Sequence, residues 1–228
     1  GKSLSAQHVR GASWNARGLA HVGLAMLRLG NAAAWQRRAG AAMDQSADSS
    51  WIDAVLHFWF RDLKPGDWFS ARPEVADEIR ARFADLRAAM KEAPPNPVSL
   101  EARGHVAAVI VFEQFSRNRF RGSAQAYATD GLALDLAQHA VDCGLDAMLG
   151  PHQRQFLYMP FMHSEDARMQ ALSCELFAGI GIPRLAVYAE GHQRIIDRFG
   201  RFPHRNAVLG RVSTTEELEF LRARRGFR

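Results

Sequence analysis

From Ser49 onward the apolar residues of this chain recur at helical spacing, and no run alternates apolar with polar residues as a half-buried strand would. Trp51, Ile52, Val55, Leu56, Trp59 and Phe60 form one stripe, with Ser49 or Ser50 placed to cap it. Val75, Ile79, Phe83, Leu86 and Met90 form a second, opened by Pro73 and ended by Pro94-Pro95-Asn96-Pro97. Ser99 is expected to cap a third, which carries Val106, Val109, Ile110 and Phe112. Asp130 starts a fourth, with Gly144 as its left-handed stop. A short helix over 153–162 is expected to break near Pro160. Ser164 is expected to cap the stretch 165–178, and Pro183 to open a helix stopped by Gly200. Thr214 with Glu217 makes a capping box for the last helix. The pattern predicts an all-α chain of antiparallel helix pairs with short connections, forming a single domain over 49–224. No strict repeat of fixed period accompanies it.

The net charge of +5 belongs to one end of the chain. Residues 1–43 hold Lys2, Arg10, Arg17, Arg28, Arg37 and Arg38 and no acid. That leaves 23 of the 29 basic residues against all 24 acidic ones in the remainder. A nucleic-acid partner, which calls for a basic face on the folded module, is therefore not expected. Three readings of 1–43 stay open: an upstream or added segment before Met43, a targeting peptide, or a helix docked on the body through Leu19, Val22, Leu24, Met26, Leu27 and Leu29. No apolar run is long enough for a membrane span, and a cytoplasmic location is expected. Cys143 and Cys174 are expected to be buried, reduced thiols.

Three segments depart from this helical monotony: 112–122 (FEQFSRNRFRG), 158–166 (YMPFMHSED) and 197–211 (DRFGRFPHRNAVLGR). Polar groups among large apolar ones must be paired, or each costs about 1–3 kcal/mol. The three segments are therefore expected to converge on one hydrogen-bonded site. Arg117 and Arg121 stand four apart on one helix face, and their planar forks suit a carboxylate or phosphate. Arg117 or Arg121 is expected near Glu165 or Asp166. His163 beside Glu165 and Asp166 can serve as a base or a helix-cap cluster. Arg198, Arg201, Arg205, His204 and Asn206 supply donors from a loop, where scaffolds carry sites. Asn118 completes the set. Across the segments Arg117, Arg119, Arg121, Arg198, Arg201, Arg205 and Arg211 outnumber Glu113, Glu165, Asp166 and Asp197. That excess predicts a pocket for an anion rather than a metal. His163, His192 and His204 lack any spaced metal-ligand motif, and no cofactor fingerprint such as GxGxxG is present.

Together with Val55-Leu56-His57-Phe58-Trp59-Phe60 and Trp68-Phe69, these segments resemble the bacterial family called domain of unknown function 924, over about residues 51–222. The resemblance implies a right-handed superhelix similar to tetratricopeptide repeats, and no established activity. Glu113 stands where the family generally has Asp, and Ser116 where it has Pro. The family pattern begins near residue 50, which favours reading 1–43 as extraneous.

Two functions follow as expectations. One is a binding module whose arginines and histidines hold an anionic small molecule or a peptide carboxylate. The other is a hydrolase or lyase, with His163 or His204 as base, Glu165 or Glu113 as the orienting acid, and arginines stabilising developing negative charge. A network serving only to fix helix register is the third possibility.

Overall fold

The structure, a computed structural model, describes residues 49–223, so the segment 1–43 lies outside the described residues. Its α-helices are α1 (Ser50–His57), α2 (Pro73–Glu92), α3 (Ala102–Val109), α4 (Ser116–Arg119), α5 (Asp130–Asp142), α6 (Pro151–Met162), α7 (Ala167–Ala178), α8 (Pro183–Phe199) and α9 (Thr215–Ala223). No strand occurs among the described residues, as the apolar spacing predicts. No helix there is long and apolar enough to cross a membrane.

Two helices widen before they end. α1 runs into a π-helical turn over Phe58–Asp62, and α3 into another over Ile110–Phe115 that leads directly to α4. All six residues of the second π turn are buried, Glu113 and Gln114 among them.

The helices stack through two rows of contacts. α1 packs on α3, α3 on α6, and α6 on α8. α5 lies against α3 and α6, α7 against α6 and α8, and α2 against α4 and the second π turn. Between them sits the main core, centred on Trp59, which is 0% exposed. Its ring lies 5.8 Å from that of Phe115 and 5.4 Å from that of Phe156. Each such side chain contributes about 1.5–3 kcal/mol by leaving water. A smaller core of Ile195, Ile196 and Phe202 anchors the loop after α8.

Most helix ends fall where the sequence places them. Pro73 and Pro183 stand at first-turn positions, and Gly144 and Gly200 adopt φ of 69° and 66°. Three details differ. α6 continues through Pro160, because a proline in the last turn deprives only one carbonyl, that of Phe156, of its donor. Ser99 ends a 3-10 turn over Pro97–Ser99, and α3 starts later, at Ala102. The cap of α7 is Asp166, not Ser164: Asp166 Oδ1 accepts from the N–H groups of Arg168 (2.7 Å) and Met169 (3.2 Å). Ser164 Oγ accepts instead from Asp166 N–H at 3.2 Å, folding the turn that presents the cap. Asp166→Ala is accordingly expected to cost about 1 kcal/mol in urea unfolding. Cys143 is exposed and Cys174 partly so, against the expected burial, and both are free thiols.

Candidate functional site

The three polar segments do meet. The π turn carries Glu113 inward, where it is 0% exposed. There its Oε1 lies 2.7 Å from His163 Nδ1 at the end of α6. Gln114 Nε2 donates to the other oxygen, Oε2, at 2.8 Å. Burial raises the Glu113 carboxyl, but the charge and hydrogen bond of His163, the Arg117 charge and the Gln114 bond outweigh it and leave it below its ordinary value. His163 therefore has Nδ1 committed to a buried carboxylate, the arrangement that fixes an imidazole's orientation and leaves Nε2 to act.

Glu165 joins the second and third segments. Its Oε1 accepts from Phe202 N–H at 2.8 Å. Arg211 grips both oxygens, at 2.6 and 2.9 Å. Burial raises this carboxyl, and the Arg211 and Phe202 hydrogen bonds more than reverse it. The grip pins Phe202, 0% exposed, in its small core. Gly200, in the left-handed region, turns the chain out of α8 so that Phe202 can enter.

The first and third segments meet at Asp130, the first residue of α5. Arg117 takes both of its oxygens, at 2.8 and 2.7 Å. Arg205 approaches the same carboxylate only to 3.7 Å. Its guanidinium lies over two rings, those of Phe202 (4.5 Å) and Tyr127 (4.8 Å). Arg205 is 7% exposed, and it makes no hydrogen bond through its guanidinium to any described residue; Nε is buried and unpartnered. Desolvation, then the Arg117 charge, weakens its hold on its proton. Two histidines border it. Desolvation, and then the His163 charge, push His192 down to about 4. Desolvation, and then the Arg205 charge, push His204 down to about 4, although the residue is exposed to solvent. Both imidazoles are thus neutral near pH 7.

Several expected members are engaged elsewhere. Arg117 pairs with Asp130 rather than with Glu165 or Asp166. Arg121 is exposed and donates to the Ser70 carbonyl at 3.4 Å. Arg198 pairs with Glu216 on the surface, at 2.7 Å. Arg201 and Asn206 converge on Glu217: Arg201 donates to both oxygens, at 2.7 and 2.9 Å, and Asn206 to one at 3.2 Å. Glu217 is held at about 2 by the Arg201 bonds first, against some desolvation, and then by Thr214 N–H and Asn206. Asn118 is buried and donates to the Gln114 carbonyl at 2.9 Å. The cationic excess within the segments is therefore largely met by acids outside them, namely Asp130, Glu216 and Glu217. A count confined to the segments cannot see those acids. Sequence reasoning also missed Tyr127, Asp130 and Gln114. Asp130 gave a signal as a helix-start acid and Gln114 as a member of segment 112–122; Tyr127 gave none. No group of three or more His, Cys, Asp or Glu suited to a metal ion occurs among the described residues.

A family model described as bacterial protein of unknown function (DUF924) matches residues 55–225. Among solved structures, a protein of unknown function from Agrobacterium tumefaciens is similar, with 36% sequence identity and a TM-score of 0.70, over 75% of this chain and 97% of its own. No curated protein matches.

Proposed function

The chain belongs to the DUF924 family of bacterial proteins, and from that premise we propose that it is a helical module binding a small anionic molecule or a peptide carboxylate at Arg205. The observation that carries this is the state of that guanidinium. It is almost fully buried, stacked on Tyr127 and Phe202, and left with a long contact to a carboxylate that Arg117 already occupies. A desolvated cation with unused donors is costly, and a bidentate oxyanion repairs it. His163 Nε2 and His204 stand ready as further donors or acceptors. The row α1, α3, α6, α8, backed by α2, α5 and α7, fits the inner and outer helices of a right-handed superhelix similar to tetratricopeptide repeats.

A titration of the full chain with inorganic phosphate, acetate and a short peptide, by calorimetry and thermal melting, tests the reading. A ligand at 100 times its dissociation constant adds about 2.7 kcal/mol of stability. Arg205→Lys keeps the charge but not the fork, and is expected to weaken binding by roughly tenfold or more. No heat and no melting shift at millimolar concentration of any of the three would end the proposal.

The Glu113–His163 pair supports a second reading, a hydrolase or lyase with His163 as base and Glu113 as its orienting acid. A buried carboxylate on Nδ1 and an uncommitted Nε2 are what general-base catalysis requires. Under it, His163→Gln abolishes turnover of a carboxylate or phosphate ester while leaving anion binding within about threefold. Equal turnover by both proteins, or none by either, leaves only the binding module.

A further inference from the structure

A second cationic place lies on α2 and the end of α4. Arg87 projects from α2 and is 8% exposed. Its Nε donates to Ser116 Oγ at 2.8 Å, and its guanidinium lies 4.7 Å from the centre of the Phe120 ring. No carboxylate among the described residues forms an ion pair with it. Arg119 lies over the same ring, at 5.1 Å. Two guanidiniums thus share one aromatic ring and repel each other. Burial, and then the Arg119 charge, weaken the hold of Arg87 on its proton.

Both arginines line a cleft of about 570 Å³, with Lys91 and Gln125 beside them and Ala84 and Ala88 as apolar wall. Asp85 and Glu92 also line it, so the lining carries three cations and two acids. Neither acid pairs with either arginine.

We propose that this cleft is a second anion site, taking a phosphate group through Arg87 and Arg119. A buried guanidinium without an acid is stable only where something offsets its desolvation, and the Ser116 hydroxyl alone is a weak offset. The hydroxyl's role is orientation. Thr129 Oγ1 donates to the Phe112 carbonyl at 2.5 Å, so Ser116 Oγ gives its proton to Thr129 (3.1 Å) and turns a lone pair to Arg87. With Nε fixed, the two terminal nitrogens have a set direction. Phosphate fits better than a carboxylate. One fork consumes both oxygens of a carboxylate, whereas a phosphate retains oxygens for the second guanidinium. The ligand then also screens the two like charges from each other.

The test uses the full chain, inorganic phosphate and phenylglyoxal, which modifies accessible arginines, with mass spectrometry to locate each adduct. At ten times the dissociation constant, phosphate is expected to slow Arg119 labelling by about tenfold. Calorimetry adds a second readout. Arg119→Gln, at a half-buried surface position, is expected to remove the heat of this site, while Arg205→Lys leaves it in place. Arg119 labelled at the same rate with and without phosphate overturns the proposal, even if Arg205→Lys removes a heat of phosphate binding. Protection of Arg119 that is the same in Arg205→Lys as in the wild-type chain upholds it, and a heat of phosphate binding unchanged by Arg205→Lys counts against the site at Asp130.

Discussion

Asp130→Ala is expected to cost the domain about 3–5 kcal/mol, the largest loss of any single carboxylate in the structure. One carboxylate serves two guanidiniums there. Arg117 holds both oxygens, and Arg205, buried over Tyr127 and Phe202, depends on what charge remains. Removing it strands two cations that cannot shed their protons. Arg205 is 7% exposed and lies over the rings of Tyr127 and Phe202, so water alone offers it little. Urea unfolding measures the loss, and a cycle with Arg205→Met apportions it. The second substitution is expected to recover part of the stability in the Asp130→Ala background, because the stranded charge goes with it. A loss below about 1 kcal/mol would show that the pair is screened like a surface one.

Glu113→Gln comes next, with an expected cost of about 2 kcal/mol near pH 7 from the lost charge-assisted bond to His163. It is smaller than the Asp130 effect because Glu113 holds one imidazole, whereas Asp130 serves two guanidiniums. Its pH dependence is diagnostic. The Glu113 carboxyl lies below its ordinary value in the folded chain. Its stabilisation is therefore fully present above the unfolded value, about 4.3, and is lost as pH falls through the folded one. The gap in unfolding free energy between wild type and Glu113→Gln is expected to close as pH falls below the unfolded value, through the folded one. Unfolding curves taken from pH 8 to 3 decide it. A gap that stays the same at pH 3 means the carboxylate is not ionised in the native state.

The fold was open to sequence reasoning because helix ends are local. Pro73, Pro183, Gly144, Gly200 and the Thr214–Glu217 box each act within a turn or two, and each appears in the structure where its chemistry places it. The site was only partly open because charge pairing is not local. That the three segments meet could be argued from the cost of burying polar groups. Which acid meets which arginine could not. Arg117 finds Asp130 thirteen residues on, and Arg201 finds Glu217 sixteen on, at distances no helical spacing encodes. The capping error has the same root. Ser164 and Asp166 can each cap the helix that follows, and the contest is settled by Glu165 between them, which must point at Phe202 and Arg211.

The π turn at Ile110–Phe115 has a bearing on how chains of this kind change length. Each residue advances an α-helix by about 100°, so one inserted residue would normally spin everything beyond it off its face. A widened turn absorbs the extra residue on the spot. What lies before it and after it keeps its seat, and only the residues inside the turn, Glu113 and Gln114 among them, are re-aimed. A chain one residue shorter at this place, wound as an ordinary α turn, would still bring Arg117 to Asp130 but would change the aim of Glu113 at His163. The bulge thus acts as a slack link: a residue can be added or removed inside it while the packing upstream and the ion pairing downstream keep their register.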